Sequence, residues 1–279
     1  MGGLPGISVT PIIVSPNGLD KFAPNAEGEA FDVNDYIMDL NNGTILQSSV
    51  FGETWSRTLQ KAIVDADKLK EAIDGVELTQ NYPTESEGDY VKKIRALSRL
   101  ILTHEKRGAD RDVFFLTLGD WDHHDSLKPN LARHFNGLNK ALTLLEGELK
   151  SHGIWDQVSV VATSDFARTL TANSGEGSDH AWGGNYFVMG GSVHGGQIHG
   201  DYPEDITSNG PLNIGRGRLI PTLSWESMLT SIVQWMGLKE EEDLDYCMPN
   251  RLQTGTALVD VDEVFDVGTE STRSLRQGK

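Results

Sequence analysis

Val113-Phe114-Phe115-Leu116-Thr117-Leu118 is a nearly unbroken apolar run, set between the charged Asp110-Arg111-Asp112 and Gly119. A short run of branched and aromatic side chains between turn signals reads as a strand buried on both faces. Downstream, Leu131, Phe135, Leu138, Leu142, Leu145 and Leu149 recur at three- and four-residue steps across Pro129–His152. That is the stripe of an amphipathic helix, with Pro129 in its first turn and Gly153 as its stop. Val158-Ser159-Val160-Val161-Ala162-Thr163 repeats the buried-strand pattern, and Asn185–Met189 does so a third time. Strand, helix and strand in this order predict an α/β fold, a mostly parallel sheet sandwiched by helices.

Outward from this centre, the spacing of Trp55, Leu59, Ala62, Ile63, Ala66, Leu69 and Ile73 predicts a helix over Thr54–Gly75. Further helices are expected over Asp89–Lys106 and Ser224–Gly237, with the Pro83-containing stretch Asn81–Gly88 as a solvated connection. The first fifty residues read as short extended pieces, Ser8–Val14 among them, broken by Asn17-Gly18 and Asn42-Gly43. The whole reads as a single domain over 1–254. Residues 255–279 form a frayed tail after a short strand near Ala257–Val261. Glu240-Glu241-Glu242-Asp243 reads as a solvated turn.

Forty-one acidic against 24 basic side chains give a net charge of −17 over 279 residues. Such a surface repels phosphate backbones, so nucleic acid is excluded as a partner. No apolar run approaches the roughly 20 residues of a membrane helix, so no transmembrane segment is expected. The single cysteine, Cys247, allows no internal disulfide and no thiolate cage, and any metal must be held by His and carboxylate. Met1-Gly2-Gly3-Leu4-Pro5-Gly6 lacks the pattern of a secretory signal.

In a parallel α/β sheet, functional groups gather in loops past the carboxyl ends of strands. Three such loops are rich in metal-ligand types: Gly119-Asp120-Trp121-Asp122-His123-His124-Asp125, Ser164-Asp165-Phe166-Ala167-Arg168-Thr169 and Ser178-Asp179-His180-Ala181-Trp182-Gly183-Gly184. Like charges gathered at one sheet edge repel unless a cation or a buried partner offsets them, which favours a divalent metal. Mixed His and carboxylate donors suit zinc, manganese or iron(II), and an all-oxygen set suits magnesium or calcium. Arg168 has the fork geometry to clamp an anionic substrate oxygen, or else to pair with Asp165 or Asp179. Arg216 and Arg218 stand in a glycine-rich stretch that looks like an anion cradle.

The stretch from about Leu97 to Asn250 resembles the family called domain of unknown function 1501, within the broad alkaline phosphatase and sulfatase superfamily. Four motifs carry the likeness: Gly119–His124, Ser164–Thr169, Ser178–Gly184 and Gly215–Pro221. The resemblance implies an alkaline phosphatase-like fold and a metal-dependent hydrolase acting on phosphate or sulfate esters. It implies one metal on Asp122, His124 and His180, with Asp120 as an alternative first ligand. Asp165 would serve a second metal or orient a water, beside Arg168 as the other catalytic candidate. Zinc is the first choice of cofactor, with manganese and calcium as alternatives, and the partner is a small anionic ester or a glycan.

The likeness departs at two points. Phe166 stands where the superfamily supplies a second-metal histidine, and nothing from Met1 to Leu97 resembles the early Asp ligand and Ser or Thr nucleophile. The chain therefore resembles the C-terminal part of the family. The family is exported, whereas this chain shows no signal, and the rival reading is a non-catalytic binding or scaffold protein with at most a structural metal.

Overall fold

A computed structural model of the chain describes residues 33–41, 50–83 and 88–267. The extended pieces expected around Ser8–Val14, and the turns at Asn17-Gly18 and Asn42-Gly43, lie outside those residues. Among the described residues there are eight helices: α1 (Val33–Leu40), α2 (Val50–Asp74), α3 (Gly88–Leu102), α4 (His104–Arg107), α5 (Leu127–Ser151), α6 (Trp225–Trp235), α7 (Glu241–Cys247) and α8 (Val261–Val264). Four strands of two or three residues join them: β1 (Ser159–Val161), β2 (Ala167–Arg168), β3 (His180–Ala181) and β4 (Val188–Gly190).

Among the described residues the expected parallel sheet does not form, and the alkaline phosphatase-like α/β architecture is overturned with it. β1 pairs with β4 and β2 with β3, both antiparallel, as two separate two-stranded sheets. Val113–Leu118 forms no strand, and Val113 and Phe115 stand 81% and 86% exposed. Apolar sequence makes a run suitable for a strand, but a strand exists only when a neighbour accepts and donates its ladder of hydrogen bonds. Of the run expected over Val158–Thr163, three residues find such a neighbour in β4. Ala257–Val261 is likewise unpaired and leads into α8. Glu240–Asp243 is not a plain turn either: Glu240 directly precedes α7 and Glu241, Glu242 and Asp243 fill its first turn, where negative charge favours the helix dipole.

The helices were more legible. The chain divides into two compact units, the first running to Leu118 and including Gly137–Glu148, the second comprising Gly119–Asn136 and Leu149 onward. In the first, Ile63, Leu69 and Ile73 of α2, Val91, Ile94 and Ile101 of α3, and Ala141 and Leu145 of α5 are buried. A fully buried Leu such as Leu145 contributes about 1.5–3 kcal/mol. Glu148 of α5, also fully buried, accepts from the Thr79 N–H at 2.8 Å, the Thr79 hydroxyl at 3.1 Å and the Gln80 N–H at 2.9 Å. A carboxylate removed from water needs such donors to stay charged.

The second unit packs α6 against α8. Its core holds Ile232, Val259, Val264 and Phe265, with Val161, Val188, Leu223 and Trp235 packed around them. Ser224 begins α6 by accepting from the Ser227 N–H at 3.0 Å, the expected capping chemistry. Cys247 is exposed. No helix among the described residues is long and apolar enough to cross a membrane.

Candidate metal centre

The site lies wholly within the second unit and is built by short-range hydrogen bonding. The β2–β3 ladder sets Arg168 opposite His180. Just before β3, the loop Asn173–Ser178 folds onto the Asp122–Ser126 segment. Asn173 donates to the His124 carbonyl at 2.9 Å, the Ser178 N–H to the His123 carbonyl at 3.2 Å, and the Ser126 N–H to the Gly175 carbonyl at 3.2 Å. Gly177 lies so close to the His124 carbonyl group that a Cβ there would overlap it. The glycine is thus required by close backbone approach.

This clamp brings three donor atoms together. His124 Nε2 and His180 Nε2 each lie 3.0 Å from Asp122 Oδ1, and the two ring nitrogens are 3.2 Å apart. Such separations match neighbouring ligands around an ion held at about 2.0–2.2 Å. Asp122, His124 and His180 form the group among the described residues that could hold a metal, and all three are exposed. Behind them, Asp179 Oδ1 faces His124 Nδ1 at 3.3 Å. A proton on Nδ1 satisfies that carboxylate and leaves the Nε2 lone pair for a cation, the usual outer-shell arrangement of a ligating histidine. Asp179 is itself held by Asn173 at 3.2 Å and by Arg216 at 2.5 Å. The donor set therefore fits a divalent cation of the zinc, manganese or iron type.

The electrostatics agree. Asn173 and Arg216 hold the Asp179 carboxyl below its usual range, with His124 adding to them against desolvation. At Asp122, desolvation by its neighbours opposes ionisation, but Arg168, His180 and His124 outweigh it and the carboxyl is again lowered. Both carboxylates are charged near neutral pH.

Other residues named from sequence fall elsewhere. Asp120 is exposed, in a left-handed backbone conformation (φ 66°), and its charge acts on His134. Asp165 is exposed and acts on Tyr186, whose hydroxyl is raised chiefly by burial. Neither belongs to the three-donor group. Arg168 touches Asp122 Oδ1, but its remaining donors serve Ser178 Oγ at 3.0 Å, the His123 carbonyl at 2.7 Å and the Ser178 carbonyl. Phe166 stacks on His180, with ring centroids 4.1 Å apart. His123, a spare ligand by sequence, is buried with its ring 5.2 Å from that of His134. His134 is buried too.

Asp179, Asn173 and Arg216 are the site residues that sequence reasoning left without a role at the metal. Asn173-Ser174-Gly175-Glu176-Gly177 is a turn signature and could have marked a tight loop. Nothing in it indicates which histidine the loop would support. Residues 46–213, more than half of the chain, match the family described as "Protein of unknown function (DUF1501)". The match begins upstream of the boundary near Leu97 that the motifs suggested, and stops short of Gly215–Pro221. No curated protein and no solved structure matches the chain.

Proposed function

The chain belongs to the family of unknown function DUF1501, and from its Asp122–His124–His180 cluster we propose that it is a metal-dependent hydrolase of phosphate or sulfate esters. The observation that carries this reading is the set of three donor atoms within 3.2 Å of one another, backed by a carboxylate on His124 Nδ1. A divalent ion bound there would supply an activated water and would stabilise negative charge on the ester oxygens.

Charge bookkeeping favours an anionic substrate. Asp122 and Asp179 are cancelled by Arg168 and Arg216, which contact them. The double positive charge of a bound cation is then uncompensated locally, in a protein whose net charge of −17 repels anions elsewhere. The order of ligand-bearing loops, resembling that of the alkaline phosphatase and sulfatase superfamily, supports the same ester class. The likeness lies in the loops and not in the sheet.

A second reading, a binding or scaffold protein with a structural metal, is favoured by Phe166. Its ring covers a face of His180 where the superfamily would place a second-metal ligand.

The deciding experiment is metal content by plasma mass spectrometry on protein purified without a His tag, for wild type and the His124→Ala/His180→Ala double variant. Near-stoichiometric metal, lost in the variant together with hydrolysis of aryl phosphate or aryl sulfate, is the expected result. Absence of metal from both proteins overturns the hydrolase reading, and metal without any ester turnover favours the scaffold.

A further inference from the structure

We propose that Arg216 is the residue that receives the anionic group of the substrate, a tetrahedral oxyanion of the phosphate or sulfate ester type, beside the metal ligands. The inference rests on the hydrolase reading above and assigns the subsite that reading leaves open.

Three arginines lie on the loops around the site, and their donors are used differently. Arg168 is committed, with Nε on the Ser178 hydroxyl, one terminal nitrogen on Asp122, and the other on the His123 and Ser178 carbonyls. Its side chain is only 20% exposed. Arg218 makes a single hydrogen bond among the described residues, but it turns back on its own loop, donating from Nε to the Gly215 carbonyl at 3.0 Å, and has no ion pair with Asp122 or Asp179. Arg216 uses a single nitrogen, Nη2, on Asp179 Oδ2 at 2.5 Å. Among the described residues, Nε and Nη1 of Arg216 have no hydrogen-bond partner. The side chain is 57% exposed. A guanidinium pinned at one corner, with two donors facing solvent, is prepared for bidentate capture of an oxyanion.

The backbone is built to aim this side chain. Gly215, Arg216 and Gly217 all have positive φ, 102°, 59° and 73°. For a non-glycine residue that conformation persists only where the surroundings impose it, and it concentrates at functional sites. Here Asn213 Oδ1 accepts from the Gly215 N–H at 2.9 Å and the Gly217 N–H at 3.2 Å, while the Leu170 N–H donates to the Gly217 carbonyl at 3.0 Å. The loop is thereby tied to the segment that follows β2. Through Asp179, whose other oxygen meets His124 Nδ1, the Arg216 guanidinium stands one carboxylate away from a metal ligand.

The test is calorimetric titration of the full chain with inorganic phosphate and, separately, inorganic sulfate, with saturating zinc and without zinc. It compares wild type with Arg216→Gln, Arg216→Lys and Asp179→Asn. The expected result is that Arg216→Gln keeps its zinc but weakens phosphate at least tenfold, and that Arg216→Lys restores part of the loss. Asp179→Asn, which keeps an amide oxygen for the guanidinium but removes the charge behind His124, is expected to weaken zinc more than it weakens phosphate at saturating zinc. Unchanged phosphate and sulfate affinity in zinc-loaded Arg216→Gln overturns the assignment, as does a zinc-loaded wild type that binds neither anion. Failure of wild type to take up zinc overturns the metal reading instead. The zinc-free titration then decides Arg216 by itself: anion binding lost in Arg216→Gln upholds the assignment, and no anion binding or an equal one overturns it.

Discussion

Replacing Arg168 by Met keeps most of the side chain's length and volume while removing every donor, so it separates a structural arginine from a substrate-binding one. Two acceptors lose their partner, the Ser178 hydroxyl at 3.0 Å and the Ser178 carbonyl, while the His123 carbonyl loses one of its two donors and keeps the Ser178 N–H at 3.2 Å. Ser178 is 1% exposed and His123 8%, so water does not readily replace the guanidinium. Each buried acceptor left unsatisfied costs about 1–3 kcal/mol. The contact with Asp122 lies at the exposed side of the site and adds little to stability. Two such acceptors make the expected loss about 2–4 kcal/mol in the second unit. Urea unfolding of the zinc-free protein followed by tryptophan fluorescence measures it well, because Trp121, Trp155, Trp182, Trp225 and Trp235 all belong to that unit. Arg216→Gln, measured alongside, should change stability by less than about 1 kcal/mol, as is usual for a half-exposed surface contact. If Arg168→Met unfolds within about 1 kcal/mol of wild type, the division of labour between the two arginines is refuted, since that is the scatter of an ordinary surface substitution.

Two further outcomes follow from close packing and from burial of a titratable group. Gly177→Ala puts a methyl group into the His124 carbonyl group, where neither partner is a movable side-chain end. Destabilisation of at least about 2 kcal/mol is expected, with zinc affinity in equilibrium dialysis down tenfold or more, and wild-type zinc binding in this variant would show that the clamp does not set the His124 position. Tyr82, 7% exposed and bonded to the Ser98 hydroxyl at 2.9 Å, has its hydroxyl pushed up to about 12, chiefly by burial and also by the Glu148 charge, with the Ser98 bond opposing. The folded protein then keeps a proton that the unfolded chain releases above pH 10. The stability this group contributes is complete below pH 10 and is lost as pH rises toward 12. Urea unfolding between pH 9 and 12 should show wild type losing roughly 1–2 kcal/mol more than Tyr82→Phe, and parallel losses in the two proteins would contradict the burial argument.

How much of this was legible in the sequence depends on how far apart the interacting residues are. The α5 helix could be read because its stripe, its Pro129 and its Gly153 stop are all local, and the structure departs from the expected Pro129–His152 by one or two residues at each end. Strands were misread because their partners are chosen elsewhere in the chain. Val158–Thr163 and Val113–Leu118 look alike as sequence, yet one meets β4 and the other presents Val113 and Phe115 to solvent. The supporting layer of the site was hidden for the same reason. Asp179 was visible beside His180, but its service to His124, 55 residues upstream, is a tertiary fact.

The three donor residues nevertheless come together although the described residues contain no parallel sheet to carry them, and the reason is geometrical. A parallel sheet would have placed the three loops at one edge through long crossovers. The β2–β3 ladder does it with residues 167–181, which pair antiparallel and set His180 across from Arg168, whose guanidinium reaches Asp122. Gly177 lets the loop before β3 lie against His124. Ligand spacing is therefore fixed by hydrogen bonds local to one unit and does not require the sheet. The same locality exposes the site to single substitutions in its clamp. Altering Arg168 or Gly177 should release both histidines at once, whereas altering Arg216 should leave them in place and change only what they can bind.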